Sequence, residues 1–472
     1  MCPQRMHVRR PITPIVNENP HVAAMRPLTF ALLASVLLGV PATAAAQTAP
    51  AVLPPPLRDL DFPMPVAAEI ALGQQLFHDP ILGGNRNISC ASCHHPRFAT
   101  GDGLSLGLGE GGVGLGPDRR EDPANAPEQR IPRNSPALFN VGAAPHTVMF
   151  HDGRIEADPS RPTGLRTPLE DEMVAGFASL LAAQTMFPVL SPDEMAGHYQ
   201  ENEIARLVRQ GRLTGSDGAW AAIAARVAAI PAYQQQFDAV YPVIADGAPI
   251  SFTDISNAIA AFVAFEWRAD QSPFDAHLRG EQPLTGAAER GMDLFYGPAG
   301  CAQCHSGPLL SDMDFHAMGQ PQLGPGKAAR FESHQLDVGR MRVTGRLADA
   351  YAFRTPPLRN VVHTGPWGHA GAFSDLDAFL RHHIDPSAGL AAYLPQATLP
   401  ALTAGAEDWA VMDDPHARAE IAAAATTAPT AVLSDSEMAD LLAFLAALTD
   451  PVALAGRLGV PETVPSGLAI DR

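Results

Sequence analysis

Lysine is almost missing from this chain: Lys327 is the single lysine among 32 basic residues, set against 50 acidic ones for a formal net charge of −18. A nucleic-acid binder needs a basic footprint, and none can be built here, so that class is excluded. The acidic surface keeps a protein soluble and also suits small basic partners. Long apolar runs are scarce too. The run Leu28–Val40 follows Arg26 and leads into Ala44-Ala45-Ala46, the pattern of a secretory signal cleaved near Ala46 and too short for a comfortable membrane span. Residues 1–46 are read as signal peptide and upstream extension, and the mature chain is expected to be exported and soluble. Gly (40) and Pro (45) together fall below the ~25–30% that signals low complexity. A mostly disordered protein is thereby excluded, while many ordered loops are expected. At 472 residues the chain has room for two or three domains of roughly 100–200 residues.

Cysteine is also rare, and its placement decides the class. Of five cysteines, Cys2 leaves with the presequence. The other four form Cys90-Ala91-Ser92-Cys93-His94 and Cys301-Ala302-Gln303-Cys304-His305. C-x-x-C-H is the attachment signal of c-type haem: two thiols add to the vinyl groups, and the adjacent imidazole reaches the iron. A structural zinc site wants four closed ligands, and a redox dithiol does not need the histidine. Two covalently bound haems are expected, with His94 and His305 as proximal ligands.

The organisation repeats around these motifs. Gly73-Gln74-Gln75-Leu76-Phe77 and Gly291-Met292-Asp293-Leu294-Phe295 both read as G-x-x-L-F on a helix preceding the haem motif. Far downstream, Ile255, Ile259, Phe262 and Val263 keep helical spacing until Pro273. Ser434-Asp435-Ser436-Glu437 predicts a capping box ahead of Leu441, Leu442, Phe444, Leu445 and Leu448. A helix before the haem and another packed across it build a small cytochrome c. The expected fold is mostly α, with two cytochrome c-like haem domains and long loops. The expected bounds are a Pro-rich leader at 47–65, an N-terminal domain at 66–270, a C-terminal domain at 271–456 and a tail at 457–472. Gly107-Leu108-Gly109-Glu110-Gly111-Gly112 matches the dinucleotide fingerprint, but that fingerprint must open a helix. Crowded glycines and Pro117 predict a loop instead.

Several segments, in order around the two motifs, resemble the bacterial dihaem cytochrome c peroxidases and their MauG-type relatives from about Glu69 to Asp450. They are Leu76-Phe77-His78-Asp79-Pro80, Arg133-Asn134-Ser135-Pro136, Asp152-Gly153-Arg154, Pro192-Asp193-Glu194-Met195, Pro273-Phe274-Asp275, Leu278-Arg279-Gly280 and Pro357-Leu358-Arg359-Asn360-Val361. The resemblance implies a periplasmic peroxidase, an oxidoreductase that activates hydrogen peroxide at the N-terminal haem. Electrons would come through the C-terminal haem from a small donor protein, a cytochrome c or a cupredoxin. It implies Glu194 as distal acid–base, with Glu172 the lesser candidate. It also implies a calcium ion held by Asn134 through its side chain and by Thr364 and Pro366 through backbone carbonyls. A homodimer stays open.

Three departures stand out. Leu108 occupies the place of a histidine that blocks the first haem in many family peroxidases, so that haem is expected to be open without prior reduction, although His95, His146 and His151 are nearby alternatives. His151 replaces a tryptophan relay expected between the haems. The distal ligand of the second haem falls on His383 by gap-free register, with Met318 as the alternative and His382 turned away. Three functions therefore compete: a peroxidase, a MauG-type oxidase that modifies a protein or small molecule, and a non-catalytic dihaem electron carrier.

Overall fold

Both G-x-x-L-F segments are helical in the computed structural model, which describes residues 52–327, 334–425 and 431–472. The expected signal peptide and the first residues of the leader lie outside the described residues. Helix Ala67–His78 carries Gly73 and packs against helix Phe252–Glu266. Helix Ala287–Phe295 carries Gly291 and packs against helix Asp435–Ala446. The repeated glycine is the point of closest approach in each pair. A Cβ on Gly73 would stand 1.9 Å from the Ala258 carbonyl oxygen and 2.8 Å from Cβ of Phe262. On Gly291 it would stand 1.9 Å from the Asp440 carbonyl oxygen and 2.9 Å from Cβ of Phe444. No side chain fits at either crossing. Gly291→Ala is expected to push the helices apart and lower stability by ~1–3 kcal/mol, as overpacked cores do. An unchanged denaturant midpoint for the haem-loaded protein would contradict this account of the repeat.

Each crossing helix starts at a serine cap. Ser251 pairs reciprocally with Asp254, and Ser434 with Glu437, as the sequence predicts for the second. The first crossing helix stops at Glu266, not at Pro273. Its exit backbone is taken over by other partners: the Trp267 carbonyl accepts from Asn140 N at 3.1 Å, and Ala269 N donates to the Asn140 side chain at 2.7 Å. Asp450 then accepts from the N–H groups of Asp270 and Gln271, both at 2.9 Å. Pro273 instead opens a new helix, Pro273–Leu278, where a proline without N–H costs nothing.

The apolar side chains gather in separate clusters around these pairs. One includes Leu76, Phe77, Phe262 and Trp267; another includes Phe274, Phe295, Phe444 and Leu448. Strands are two or three residues long, the largest group being Val148–Met149, Ile155–Ala157 and Leu165–Arg166. The protein is mostly α. Among the described residues, no helix is long and apolar enough to cross a membrane.

The C-terminal residues, expected as a tail at 457–472, run as a strap along the first helix pair. Leu458 N and Gly459 N donate to the buried Glu266 carboxylate at 2.7 and 2.8 Å, Ser466 Oγ donates to Asp79 at 2.6 Å, and Ser92 Oγ donates to Asp471 at 2.5 Å. The last of these bonds falls inside the first C-x-x-C-H motif.

Candidate functional site

The two attachment motifs open onto one continuous cavity with apolar walls. Each begins as a short 3-10 turn, Cys90–Ser92 and Cys301–Gln303, and each histidine N–H bonds back to the first cysteine carbonyl at 2.9 Å. That turn sets both thiols and the imidazole on one side. His94 Nδ1 meets the Thr100 carbonyl at 3.0 Å, and His305 Nδ1 meets the Leu310 carbonyl at 3.0 Å. A proton on Nδ1 leaves Nε2 as the free donor to a metal. Burial lowers the basicity of both rings, favouring the neutral form that ligates. Four unpaired cysteines and two bare Nε2 atoms, in an apolar slot, fit two c-type haems.

Around the first motif the cavity is lined by Phe77, Leu82, Ile259 and Val263, with Gln184 and Glu194 as polar groups. Burial pushes the Cys93 thiol up to about 12, and the carboxylates of Asp102 and Glu194 add to that effect against the charge of Arg119. Glu194 therefore stands near the first attachment site. It rides on a wide helical turn, Pro192–Ala196, capped by the Ser191 hydroxyl. Two glycines clamp this turn. Gly84 N donates to the Met195 carbonyl at 2.8 Å, and Gly109, at φ +57°, approaches so closely that a Cβ there would lie 2.0 Å from the Asp193 carbonyl oxygen. The glycine-rich loop that mimics a nucleotide fingerprint thus braces the turn of Glu194. Glu172 is exposed on a separate turn, Glu170–Glu172, and does not line the cavity. The reserve candidate drops out.

Leu108 is fully buried away from the cavity wall. Of the histidines named as alternatives, His95 points elsewhere, with Nδ1 accepting from Arg97 N at 3.1 Å. His146 and His151 do line the cavity. His151 donates from Nε2 to the Asn134 carbonyl at 3.1 Å, and burial beside Arg133 lowers its pKa to about 3. Both ring nitrogens of His146 are buried without a partner.

Around the second motif the walls are Phe295, Leu376, Phe379, Leu380, Leu441 and Leu445, with His383 and Met318 facing in. Helix Leu376–Ile384 carries both adjacent histidines, about 100° apart around its axis. His382 turns away: its Nε2 meets the Met318 carbonyl at 2.9 Å and its ring packs on Phe373. His383 turns inward, with Nδ1 on the Phe379 carbonyl at 3.2 Å, leaving Nε2 free. Burial lowers its pKa to about 3, and the nearby His382 and His305 add to the shift. Two neutral imidazoles with free Nε2 atoms thus share one slot.

Asn134, Thr364 and Pro366 line the same cavity as the two motifs. Asn134 donates from Nδ2 to the Leu104 carbonyl at 2.8 Å, which leaves its amide oxygen for another partner. Next to it, Arg133 is buried between Asp152 and Asp337, at 2.7 Å from each. This triad joins residues of the first and second halves of the sequence, and breaking such a buried pair strands a charge.

No motif pointed to Gln184, Lys327 or Asp102 as lining residues. Gln184 comes from a short helix, Leu180–Thr185, with no motif around it. Lys327 is the compositional oddity noted above. It lines the cavity, with burial and the charges of Arg154 and Arg133 lowering its pKa against the pull of Glu194. Asp102 follows the first motif closely and is pushed up to about 7 by burial.

Comparison with known proteins places this architecture. The profile of the di-haem cytochrome c peroxidase family matches residues 67–283. The chain is 30% identical over 320 residues to the methylamine utilization protein MauG of Methylorubrum extorquens, covering 67% of this chain and 68% of that one. It is also 30% identical over 338 residues to the cytochrome c peroxidase Ccp of Escherichia coli, covering 71% of this chain and 57% of that one. Among solved structures, a MauG-like protein associated with microbial copper homeostasis superposes with a TM-score of 0.54 at 27% identity, over 87% of this chain and 96% of the other.

Proposed function

The chain belongs to the dihaem cytochrome c peroxidase and MauG-type family, and from that premise we propose that it is a periplasmic peroxidase. It takes hydrogen peroxide, two electrons and two protons to two waters. The observation that carries this reading is the position of Glu194 in the cavity at the first attachment motif. When bound, the first haem supplies an iron with an open coordination position, and the second supplies an electron relay.

The protein's own residues do the rest. His94 holds one face of the first site, its tautomer set by the Thr100 carbonyl. Glu194 takes the proton from the inner peroxide oxygen and returns it to the outer one, and Gln184, a polar group lining the same cavity, is the residue proposed to orient the substrate. The buried walls exclude competing water. His305 and His383 hold the second site. Asn134, Thr364 and Pro366 are proposed to hold calcium between the two, a hard cation that prefers oxygen ligands. A small cytochrome c or cupredoxin supplies electrons, and two cytochrome c units divided near residue 270 house the two haems. Steady-state turnover of peroxide with reduced cytochrome c tests the proposal.

A second reading is favoured by one specific observation. His383 lines the same cavity as His305 with its Nε2 free, and the two would supply a bound second haem with two imidazoles and so a lower potential than a His–Met pair. That suits a MauG-type oxidase better than an acceptor of electrons from a high-potential cytochrome.

Leu108 allows a further test, because leucine cannot ligate iron. The as-isolated diferric protein is expected to contain one high-spin haem and to bind cyanide without prior reduction. Two low-spin EPR signals, with no spectral response to cyanide, would show that another residue closes the site, and the unpartnered His146 would be the first to replace.

A further inference from the structure

Behind the turn that carries Glu194 lies a second cluster of donors, outside the haem cavity. Glu110 is fully buried, yet none of the Lys or Arg among the described residues pairs with it. Its Oε1 accepts from the side-chain amides of Asn85, Asn87 and Asn125 at 2.9, 2.8 and 2.8 Å, while its Oε2 is buried with no partner at all. His198, also buried, stands opposite: its Nδ1 lies 3.4 Å from Oε1 of Glu201. The donor atoms of Glu110, His198 and Glu201 all lie within 4.8 Å of one another.

We propose that Glu110, His198 and Glu201 form a binding site for a divalent transition-metal ion of the zinc class. Two carboxylates and a neutral imidazole give a charge of −2, which such an ion matches. An imidazole donor selects zinc and its neighbours over calcium and magnesium. Donors around a tetrahedral zinc stand ~3.4 Å apart at bond lengths of ~2.1 Å, so side-chain rotations closing at most ~1.4 Å complete the set. The second nitrogen has a carboxylate within reach. His198 Nε2 is buried without a hydrogen-bond partner and stands 3.5 Å from Oδ1 of Asp193, so a small closure forms the carboxylate–histidine pairing that orients metal-bound imidazoles. Asp193 immediately precedes Glu194, and its carbonyl accepts from Glu110 N at 2.9 Å. The ion would therefore tie the glycine-rich loop and the 198–201 turn to the segment that presents Glu194.

The alternative occupant is a proton on His198, shared among Asp193, Glu128 and Glu201. Zinc titration of the chelator-treated, haem-loaded protein at neutral pH separates the two, followed by elemental analysis and isothermal calorimetry. One zinc per chain is expected beyond the haem irons, with affinity falling about tenfold or more in His198→Gln and in Glu201→Gln. Glu201 is exposed, so its variant folds, and unchanged visible haem spectra verify this. Absence of zinc binding at tens of micromolar would overturn the proposal. So would an affinity in either variant unchanged from that of the unaltered protein, or calcium binding in place of zinc.

Discussion

Replacing Glu194 with glutamine is expected to lower peroxide turnover by ~10²–10⁴ while both haems stay attached. The substitution keeps side-chain volume and one hydrogen-bonding oxygen but removes the proton that must move between the peroxide oxygens. The turn around it is held by main-chain bonds, Gly84 N to the Met195 carbonyl and Glu110 N to the Asp193 carbonyl, which the change does not touch. Loss of rate therefore reports on proton transfer and not on collapse of the loop. Steady-state assays with reduced cytochrome c, beside a haem stain and visible spectra, make the measurement. Glu172→Gln serves as the comparison because that side chain is exposed away from the cavity. Wild-type turnover in Glu194→Gln would remove the residue from the mechanism and with it the main support for the peroxidase reading.

What could be read from the sequence is what is chemically local. C-x-x-C-H is legible because covalent attachment and ligation fix both residue types and spacing within five positions. The Ser434–Glu437 cap is legible because its two bonds close within one turn. The G-x-x-L-F repeat was visible as a pattern, but its cause was not: Gly73 and Gly291 are required by backbone on helices more than a hundred residues downstream. Pro273 misled for a related reason. The helix before it is ended by Asn140 and Asp450, both remote in sequence, which capture its exit backbone. The strap at 457–472 and the cavity positions of Gln184 and Lys327 likewise depend on contacts that no periodicity encodes. Adjacent His382 and His383 are the instructive middle case. Helical geometry alone says that they point apart, but only the packing of Phe373 and the Met318 carbonyl decides which one faces inward.

Replacing His383 with alanine is expected to convert one haem from low spin to high spin and to leave the other unchanged. Replacing it with methionine should raise the potential of that same haem, since a thioether favours the reduced iron more than an imidazole does. The geometry behind this is specific. His383 Nδ1 is committed to the Phe379 carbonyl and its Nε2 faces the slot of His305. The Met318 carbonyl is held by His382, which restrains that segment whether or not its side chain reaches the iron. EPR of the diferric protein and a spectroelectrochemical titration read both effects directly. If His383→Ala changes neither spectrum, the ligand is Met318, and Met318→Leu should then produce the high-spin haem. The outcome bears on function through driving force. A bis-imidazole second haem lies low in potential and accepts electrons poorly from a high-potential cytochrome, whereas a His–Met haem accepts them readily. Faster peroxide turnover in His383→Met than in the unaltered protein would mean that electron entry at the second site, and not proton transfer at Glu194, limits the natural rate.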